Sequence, residues 1–194
     1  MKLNNHSSKL VKLVVLSLLG TISLVLFFIS FPLPLLPPYL KVDFSDVPAL
    51  IAGLIFSPLA GIIVVFMKNV LYFVASGATD PFGVAANFIA GTLYIFPVAY
   101  LYHKYRGVKS IISGLVIGTI GMTVVMSILN YLFILPAYAW LMGMEMNETI
   151  KWASVVGGVL PFNFVKGLIV GMLFVPVFIK LKQWIDEKQA KAIG

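Results

Sequence analysis

The sequence predicts an all-α fold, a bundle of six transmembrane helices. Of its 194 residues, 60% are hydrophobic and only 11% are charged, whereas a soluble domain carries about a quarter charged residues. The apolar residues form continuous runs, not the period-two alternation of a membrane β-barrel strand. Because a helix needs ~20 apolar residues to cross the hydrocarbon core, the chain has the length for about five or six crossings. Residues 1–194 are therefore predicted to form one integral membrane domain.

The helices are predicted at residues 10–31, 46–56, 58–76, 82–102, 109–141 and 153–181. The first begins like a signal peptide. However, its apolar run from Leu13 to Phe31 is long for a signal core, and no small-residue cleavage pattern follows it. We therefore interpret it as the first membrane helix. The prolines between positions 32 and 38 then exclude a helix and favour an extended loop.

The second and third helices share one apolar stretch, residues 46–76, which is too long for one crossing and too short for two complete ones. Its middle reads SPLAG, which marks a break between a short helix and a full one. The turn SGATDPFG precedes the fourth helix, and HKYRGVK closes it. The fifth helix is over-long for one crossing, and Pro136 is predicted to kink it or end it. The loop GMEMNETIK leads to the sixth helix.

The net charge of +7 would suit a nucleic-acid partner, but the basic residues stand at the ends of the predicted helices, where they act as a topology signal. Ten of the fourteen lysine and arginine residues fall on one predicted side: Lys2, Lys9, Lys12, Lys104, Arg106, Lys109, Lys180, Lys182, Lys188 and Lys191. The positive-inside rule places both termini in the cytoplasm. We expect a multi-pass protein of the cell membrane, solvated by lipid and without a nucleic-acid partner.

The residues give little support for catalysis. The chain has no cysteine, which excludes thiolate chemistry and cysteine metal sites. No histidine–glutamate group has metal-ligand spacing, and no nucleophile motif or phosphate-binding glycine loop occurs. We predict that the protein is not an enzyme and carries neither a metal nor a cofactor.

Lys166 is the most informative residue of the sequence. It lies near the middle of an apolar run, about 20 Å from either end at ~1.5 Å per residue, so its side chain is too short to reach water. Asn163, three residues earlier, projects from the same helix face. Lys166 has two interpretations. It is either a structural lysine bonded to carbonyls or to Asp43 or Asp46, or a donor to a polar ligand.

Further polar residues occur on three other predicted helices. They are Lys68, Asn69, Asn87, Asn130 and Tyr131. Each amide alone is typical of a hydrogen bond between membrane helices, but amides on four helices favour one shared polar pocket. Because amides both donate and accept, such a pocket suits a neutral or zwitterionic ligand. Phe44 and Tyr131 could stack on a planar molecule, while Asp46 has an alternative role as a helix N-cap.

Several segments resemble a known family. The stretch FPLPLLPPYLKVDFSDVPALIAGLIFSPLAG is similar to the substrate-binding S components of energy-coupling factor (ECF) vitamin transporters. The segments KN at 68–69, NY at 130–131 and NFVKG at 163–167 resemble its riboflavin-specific members. The likeness covers about residues 10–182 and agrees with six helices and with both termini inside.

The resemblance implies a subunit that binds riboflavin from outside with high affinity. It also implies association with a transmembrane T subunit and two cytoplasmic ATPases, and release of the vitamin when the S component topples in the membrane. The implied flavin contacts are Asn163 and Lys166 and, by extension, Asp43, Asn69, Asn87 and Asn130. The loop from Phe31 to Phe44 would act as the gate.

Two alternatives stay open for the function. The same architecture could bind FMN, thiamine or pantothenate, and Lys68 and Lys166 would suit a phosphate. A membrane enzyme acting on a lipid would instead need clustered acidic or histidine groups, which the sequence lacks.

The family resemblance also bears on the first helix. S components often carry an Ala-xxx-Ala type pattern there for docking the T subunit. This first helix has no alanine, but Ser17, Gly20 and Thr21 are small enough for close helix approach. The alternative is that these three residues pack within the bundle.

Overall fold

The computed structural model describes residues 4–193 and the side chains of residues 9–185 and 187. Within this range the elements are α1 (Asn4–Phe28), β1 (Phe31–Pro32), β2 (Lys41–Val42), α2 (Asp46–Ile55), α3 (Pro58–Ala75), α4 (Pro81–Tyr105), α5 (Gly107–Leu129), a first π-helical segment (Asn130–Ile134), α6 (Leu135–Met142), α7 (Glu148–Ser154), a second π-helical segment (Val155–Val159) and α8 (Leu160–Ile193).

Among the described residues, five helical stretches are long and apolar enough to cross a membrane: Lys9–Phe28, Pro58–Ala75, Pro81–Tyr105, Gly107–Met142 and Glu148–Ile185. The helix α2 has 10 residues and reaches only about 15 Å, half of the hydrocarbon thickness. The end of the loop before it is also buried, and Ser23 of α1 donates a hydrogen bond to the carbonyl oxygen of Ser45. That bond places the end of the loop beside α1, inside the bundle.

Three helices begin where side chains cap them. Ser57 accepts from the amide of Ala60 at 3.2 Å, Asp80 accepts from Gly83 at 2.8 Å, and Asn147 accepts from Ile150 at 2.9 Å. Proline follows directly after the first two caps. Its missing N–H costs nothing there, because the N–H at the first helical position has no partner within the helix. Local sequence therefore fixes the starts of α3, α4 and α7.

Small residues bring the long helices into close contact. A Cβ atom added at Gly114 would lie 2.5 Å from the Cα of Val98, and one added at Gly118 would lie 2.6 Å from the carbonyl oxygen of Tyr94. The backbones of α4 and α5 consequently approach as membrane helices do at small-residue interfaces. Tyr94 also donates to the carbonyl of Gly167 at 2.9 Å, which links α4 to α8.

The two π-helical segments share a sequence context. The first, NYLFI, and the second, VVGGV, are each followed by Leu-Pro. Proline cannot donate to the carbonyl four residues earlier and its ring crowds that carbonyl, so a widened turn lets the helix continue. Pro136, predicted to kink or end the fifth helix, is accordingly passed without a break.

We call the end of the bundle that carries residues 29–45, 76–80 and 143–147 the outer end. The basic side chains that gather at the opposite, inner end are Lys9, Lys12, Lys104, Arg106, Lys109, Lys180 and Lys182. Lys2 and the side chains of Lys188 and Lys191 lie outside the described part. The orientation of the two ends in the cell remains a prediction from the charge pattern.

Candidate functional site

Four charged side chains meet inside the bundle and are here called the buried quartet: Asp43, Asp46, Lys68 and Lys166. They come from the loop before α2, from α2, from α3 and from α8. Their exposed fractions are 1%, 2%, 0% and 5% respectively. Charged residues are almost never buried to this degree unless they are paired, so the contacts among these four decide whether the arrangement is stable.

Both lysines of the quartet are paired with carboxylates. The Nζ atom of Lys166 lies 3.1 Å from Asp43 Oδ2 and 3.9 Å from Asp46 Oδ2. The Nζ atom of Lys68 lies 3.1 Å from Asp46 Oδ1. Asp46 therefore bridges the two ammonium groups. These contacts agree with the interpretation of Lys166 as a lysine bonded to Asp43 and Asp46.

Ser45 joins the quartet to the loop and to α1. Its hydroxyl accepts from Lys68 at 2.7 Å and donates to Asp43, and its amide donates to Asp43 Oδ1 at 2.9 Å. Burial acts to raise the pKa of Asp43, but Lys166, Lys68 and the hydrogen bonds from Ser45 together lower it. Asp43 is therefore held as a carboxylate.

The alternative role of Asp46 as a helix N-cap is wrong. The capping position is occupied by Ser45, which has helical backbone angles and makes no side-chain capping bond. Asp46 stands in the first turn of α2 and directs its carboxylate at the two lysines. Its pairing outweighs the capping preference because an unpaired buried ammonium costs far more than a cap contributes.

Three of the four predicted asparagines follow one pattern. The side-chain nitrogens of Asn69, Asn130 and Asn163 each donate at 2.8 Å to the carbonyl four residues earlier in their own helix. One of the two N–H donors of each amide is thereby used locally. The oxygen remains the group through which each amide can accept a hydrogen bond from a ligand.

Two predicted site residues hold buried acceptors without partners. The Oδ1 atoms of Asn69 and Asn87 have no hydrogen-bond partner among the described residues, although buried acceptors are normally satisfied. Asn87 lies one turn before Gly91, where an added Cβ atom would be 3.4 Å from Asp46 Oδ1. This face of α4 therefore adjoins the quartet. The unsatisfied oxygens suit a ligand that carries N–H or O–H groups.

Asn69 also lines an open groove of about 230 Å³ between α3 and α4. The other lining residues are apolar: Phe66, Val70, Phe73, Pro81, Val84, Ala85 and Phe88. The volume is below the ~300–1,000 Å³ typical of small-molecule pockets. Asn69 is the one predicted ligand residue in its lining.

The remaining predicted ligand residues lie nearer the outer end. Tyr131 donates to Glu148, and its ring stands 5.3 Å from that of Trp152 and 5.0 Å from Lys151 Nζ. Phe44 is half-buried, and its ring centre lies 6.1 Å from that of Phe31. Neighbouring Asn130 and Tyr131 belong to the first π-helical segment, a feature that often occurs at functional sites. The structure thus brings Asp43, Lys68 and Lys166 together, and places Tyr131 in a separate cluster.

Sequence reasoning did not assign Ser23 and Ser45 to the site. Ser45 stands between the two aspartates, and this spacing was its available signal. Ser23 carries no local signal, because an isolated serine in an apolar helix commonly bonds its own backbone. Its bond to the Ser45 carbonyl depends on how α1 packs against the loop.

The predicted docking residues divide into two groups. Ser17 and Thr21 are exposed on α1, and Thr21 donates to the Ser17 carbonyl at 3.0 Å. Gly20 is buried, and a Cβ atom there would lie 3.3 Å from Met67 Cε. Gly20 therefore uses its small size within the bundle, while Ser17 and Thr21 face outward.

The chain matches known proteins over nearly its full length. Residues 11–178 match the family model described as ECF transporter, substrate-specific component. The riboflavin transporter FmnP of Bacillus subtilis is 49% identical over 95% of this chain and 99% of its own length. The riboflavin transporter RibU of Staphylococcus aureus is 42% identical over 96% of this chain and 97% of its own length.

A solved structure, described as "Structure and mechanism of the S component of a bacterial ECF transporter", has a TM-score of 0.79 and 42% sequence identity to this chain. The match covers 91% of this chain and 98% of the solved chain. This likeness confirms the predicted fold class, an all-α membrane bundle of the S-component type.

Proposed function

Because the chain belongs to the family of ECF transporter substrate-specific components, we propose that it is the riboflavin-binding membrane subunit of a vitamin uptake system. The observation that carries this proposal is the 49% identity, over 95% of the chain, to a riboflavin transporter. The family consists of transporter components, so the prediction that the chain is not an enzyme is confirmed and the lipid-modifying alternative is dropped.

The polar groups described above support a flavin as the ligand. The isoalloxazine ring has carbonyl and N–H groups and the ribityl chain has hydroxyls, so the ligand both donates and accepts. The acceptor oxygens of Asn69 and Asn87 lack partners, and the ammonium of Lys166 can donate to a carbonyl. Asn163 and Lys166 are the proposed first contacts, with Asp43, Asn87 and Asn130 around them.

The loop from Phe31 to Phe44 is the proposed gate. Its ends form a short antiparallel ribbon in which Phe31 pairs with Val42 and Pro32 with Lys41. Four prolines stiffen the chain between residues 32 and 38, so the loop would move as a unit. Its C-terminal end carries Asp43, which pairs with Lys166. Movement of the gate would therefore be coupled to Lys166, a proposed ligand contact.

Vitamin uptake by this subunit requires partners. We propose association with a transmembrane T subunit and two ATPases. The exposed face of α1 with Ser17 and Thr21 is the proposed surface for the T subunit, because small side chains allow close helix approach. Both termini would lie in the cytoplasm, where the ATPases act.

The visible spectrum of the purified protein tests the proposed ligand. Protein isolated in detergent from flavin-containing cells should be yellow and show the blue absorption of bound flavin, whereas thiamine and pantothenate are colourless. Titration of stripped protein with riboflavin should quench flavin fluorescence at a one-to-one ratio. A colourless protein that also fails to quench added riboflavin would overturn the proposal.

A further inference from the structure

We propose that Asp43, Asp46 and Lys68 set the charge selectivity of the ligand site: they hold Lys166 and keep its surroundings neutral, so the site favours an uncharged flavin over its phosphate ester. This inference rests on the proposed riboflavin binding and adds a specificity mechanism to it. Asp46 and Lys68 act through Lys166 and are positioning residues.

The four charges of the quartet cancel. Two ammonium groups face two carboxylates, with Nζ–O distances of 3.1 Å for Lys68–Asp46 and 3.1 Å for Lys166–Asp43. The diagonal contact from Lys166 to Asp46 is 3.9 Å. The sum is zero, and the exposed fractions of these side chains do not exceed 6%. Water cannot screen any imbalance at that depth.

Both lysines of the quartet are already engaged by other groups. Lys68 is fully buried, donates to Ser45 Oγ at 2.7 Å and lies 5.1 Å from the centre of the Phe27 ring. Lys166 lies within 4 Å of two carboxylates. Neither ammonium is therefore a free counter-charge. The earlier suggestion that both would suit a phosphate does not hold for this arrangement.

Riboflavin and its phosphate ester differ in the charge that they would bring to the quartet. A phosphate monoester carries about −1.5 to −2 charges at neutral pH. To enter beside the quartet it must lose water and approach two carboxylates, with no unpaired cation to compensate. A hydroxyl or ring carbonyl of neutral flavin can share a proton of Lys166 and leave the ion pairs in place.

The ion pair of Asp46 and Lys68 permits a clean test. Neutralising Asp46 leaves one excess positive charge in the quartet, and neutralising Lys68 leaves one excess negative charge. Asp46→Asn gives the quartet a net charge of +1, Lys68→Met gives −1, and the double variant restores zero. In a low-dielectric region one uncompensated charge acts over many ångströms. The phosphate need not touch the quartet for its binding to change.

The experiment titrates flavin fluorescence with riboflavin and with riboflavin 5′-phosphate, using the full-length protein in lipid nanodiscs. The wild type should bind riboflavin more tightly. The ratio of the phosphate Kd to the riboflavin Kd should fall about tenfold in Asp46→Asn and rise about tenfold in Lys68→Met. In the double variant it should return to within about threefold of wild type. A merely structural role would weaken both ligands together and leave the ratio unchanged.

Lys109→Met is the matched control. Lys109 is exposed in the first turn of α5 at the inner end, outside the proposed gate and ligand site, so loss of its charge is screened by water and should leave the ratio unaltered. If Asp46→Asn does not fold, Asp43→Asn gives the same net charge.

Equal ratios in the two single-charge variants and the wild type, or a wild type that prefers the phosphate, would overturn the inference while riboflavin binding itself stands. A wild type that binds neither flavin would instead overturn the proposed function.

Discussion

Two acid–base pairs in this molecule differ in surroundings more than in geometry. At the outer end, Lys151 Nζ lies 2.5 Å from Glu148 Oε1, with side-chain exposures of 16% and 68%. In the interior, Lys68 Nζ lies 3.1 Å from Asp46 Oδ1, with exposures of 0% and 3%. The shorter pair is the less important one for stability, because water screens exposed charges. Separation of the buried partners costs more, because Lys68 then keeps a neutral acceptor, the Ser45 hydroxyl, in place of a carboxylate in a region that water does not reach.

The greatest loss of stability is expected when the buried pair of Lys68 and Asp46 is disrupted. Asp46→Ala removes the carboxylate that bridges Lys68 and Lys166, and should lower the free energy of unfolding by about 3–5 kcal/mol. Denaturation in mixed detergent micelles, followed by circular dichroism, measures the loss. The double variant Asp46→Asn/Lys68→Met is the control and should recover much of it, because it removes both charges. A loss in Asp46→Ala no larger than that in Glu148→Ala would refute the distinction.

Substitutions at Asn163 and Lys166, which share one helix face, should both weaken riboflavin binding but should differ in their effect on fold stability. Asn163→Ala should weaken riboflavin binding by about 1–3 kcal/mol, or roughly five- to 150-fold in Kd, and should cost the fold no more than its one neutral hydrogen bond to the Val159 carbonyl, about 0.5–1.5 kcal/mol. Lys166→Ala should weaken binding and also destabilise the fold, because Asp43 loses its partner at 3.1 Å. Fluorescence titration and micelle denaturation measure the two effects. Normal binding by both variants would mean that the flavin site lies elsewhere.

Loss of an uncharged interior hydrogen bond should lower the unfolding free energy by an amount between the effects of breaking the buried and the exposed acid–base pair. Tyr94→Phe removes the hydrogen bond to the Gly167 carbonyl and should cost about 0.5–1.5 kcal/mol of unfolding free energy, the usual value of one neutral bond. Tyr100→Phe, at an exposed position, is its control. A cost for Tyr94→Phe as large as that for Asp46→Ala would show that burial, not charge, sets the ranking.

The smallest effect is expected at the outer end. Glu148→Gln should leave the melting temperature almost unchanged, and high salt should erase what difference remains. The same salt should leave the deficit of Asp46→Ala in place, since its partners are buried. Melting curves at low and high ionic strength make the comparison. A clear loss at high salt in Glu148→Gln would mean that this pair is not screened by water.

The helices of this chain follow from local sequence to a large extent. Apolar runs longer than one crossing, proline-rich breaks and caps at Ser57 and Asp80 locate α2, α3 and α4 within a few residues of the predicted bounds. The π-helical segments were not predicted. Their signal is a Leu-Pro pair inside a long helix, which sequence alone cannot distinguish from a kink or an end.

The sequence named the four charged residues of the quartet and offered Asp43 and Asp46 as possible partners of Lys166, but it could not choose among the alternatives for Lys166. Lys166 is recognisable as a deeply buried charge from its position in an apolar run. Which partner it takes depends on the loop before α2, 123 residues away in sequence. The same loop brings Ser45 to Lys68 and to Ser23. None of these contacts has a periodic signature, because they join different elements.

Composition and apolar runs are sufficient to predict a membrane helix bundle, since a chain so poor in charge cannot cover itself with polar surface. They also predict that a lysine in the middle of a span contacts a polar group. That two lysines and two aspartates neutralise one another in one buried group is visible only in the three-dimensional arrangement of the helices. The reason is that a charge balance depends on distances between elements, and those distances are set by how the helices and the loop before α2 pack.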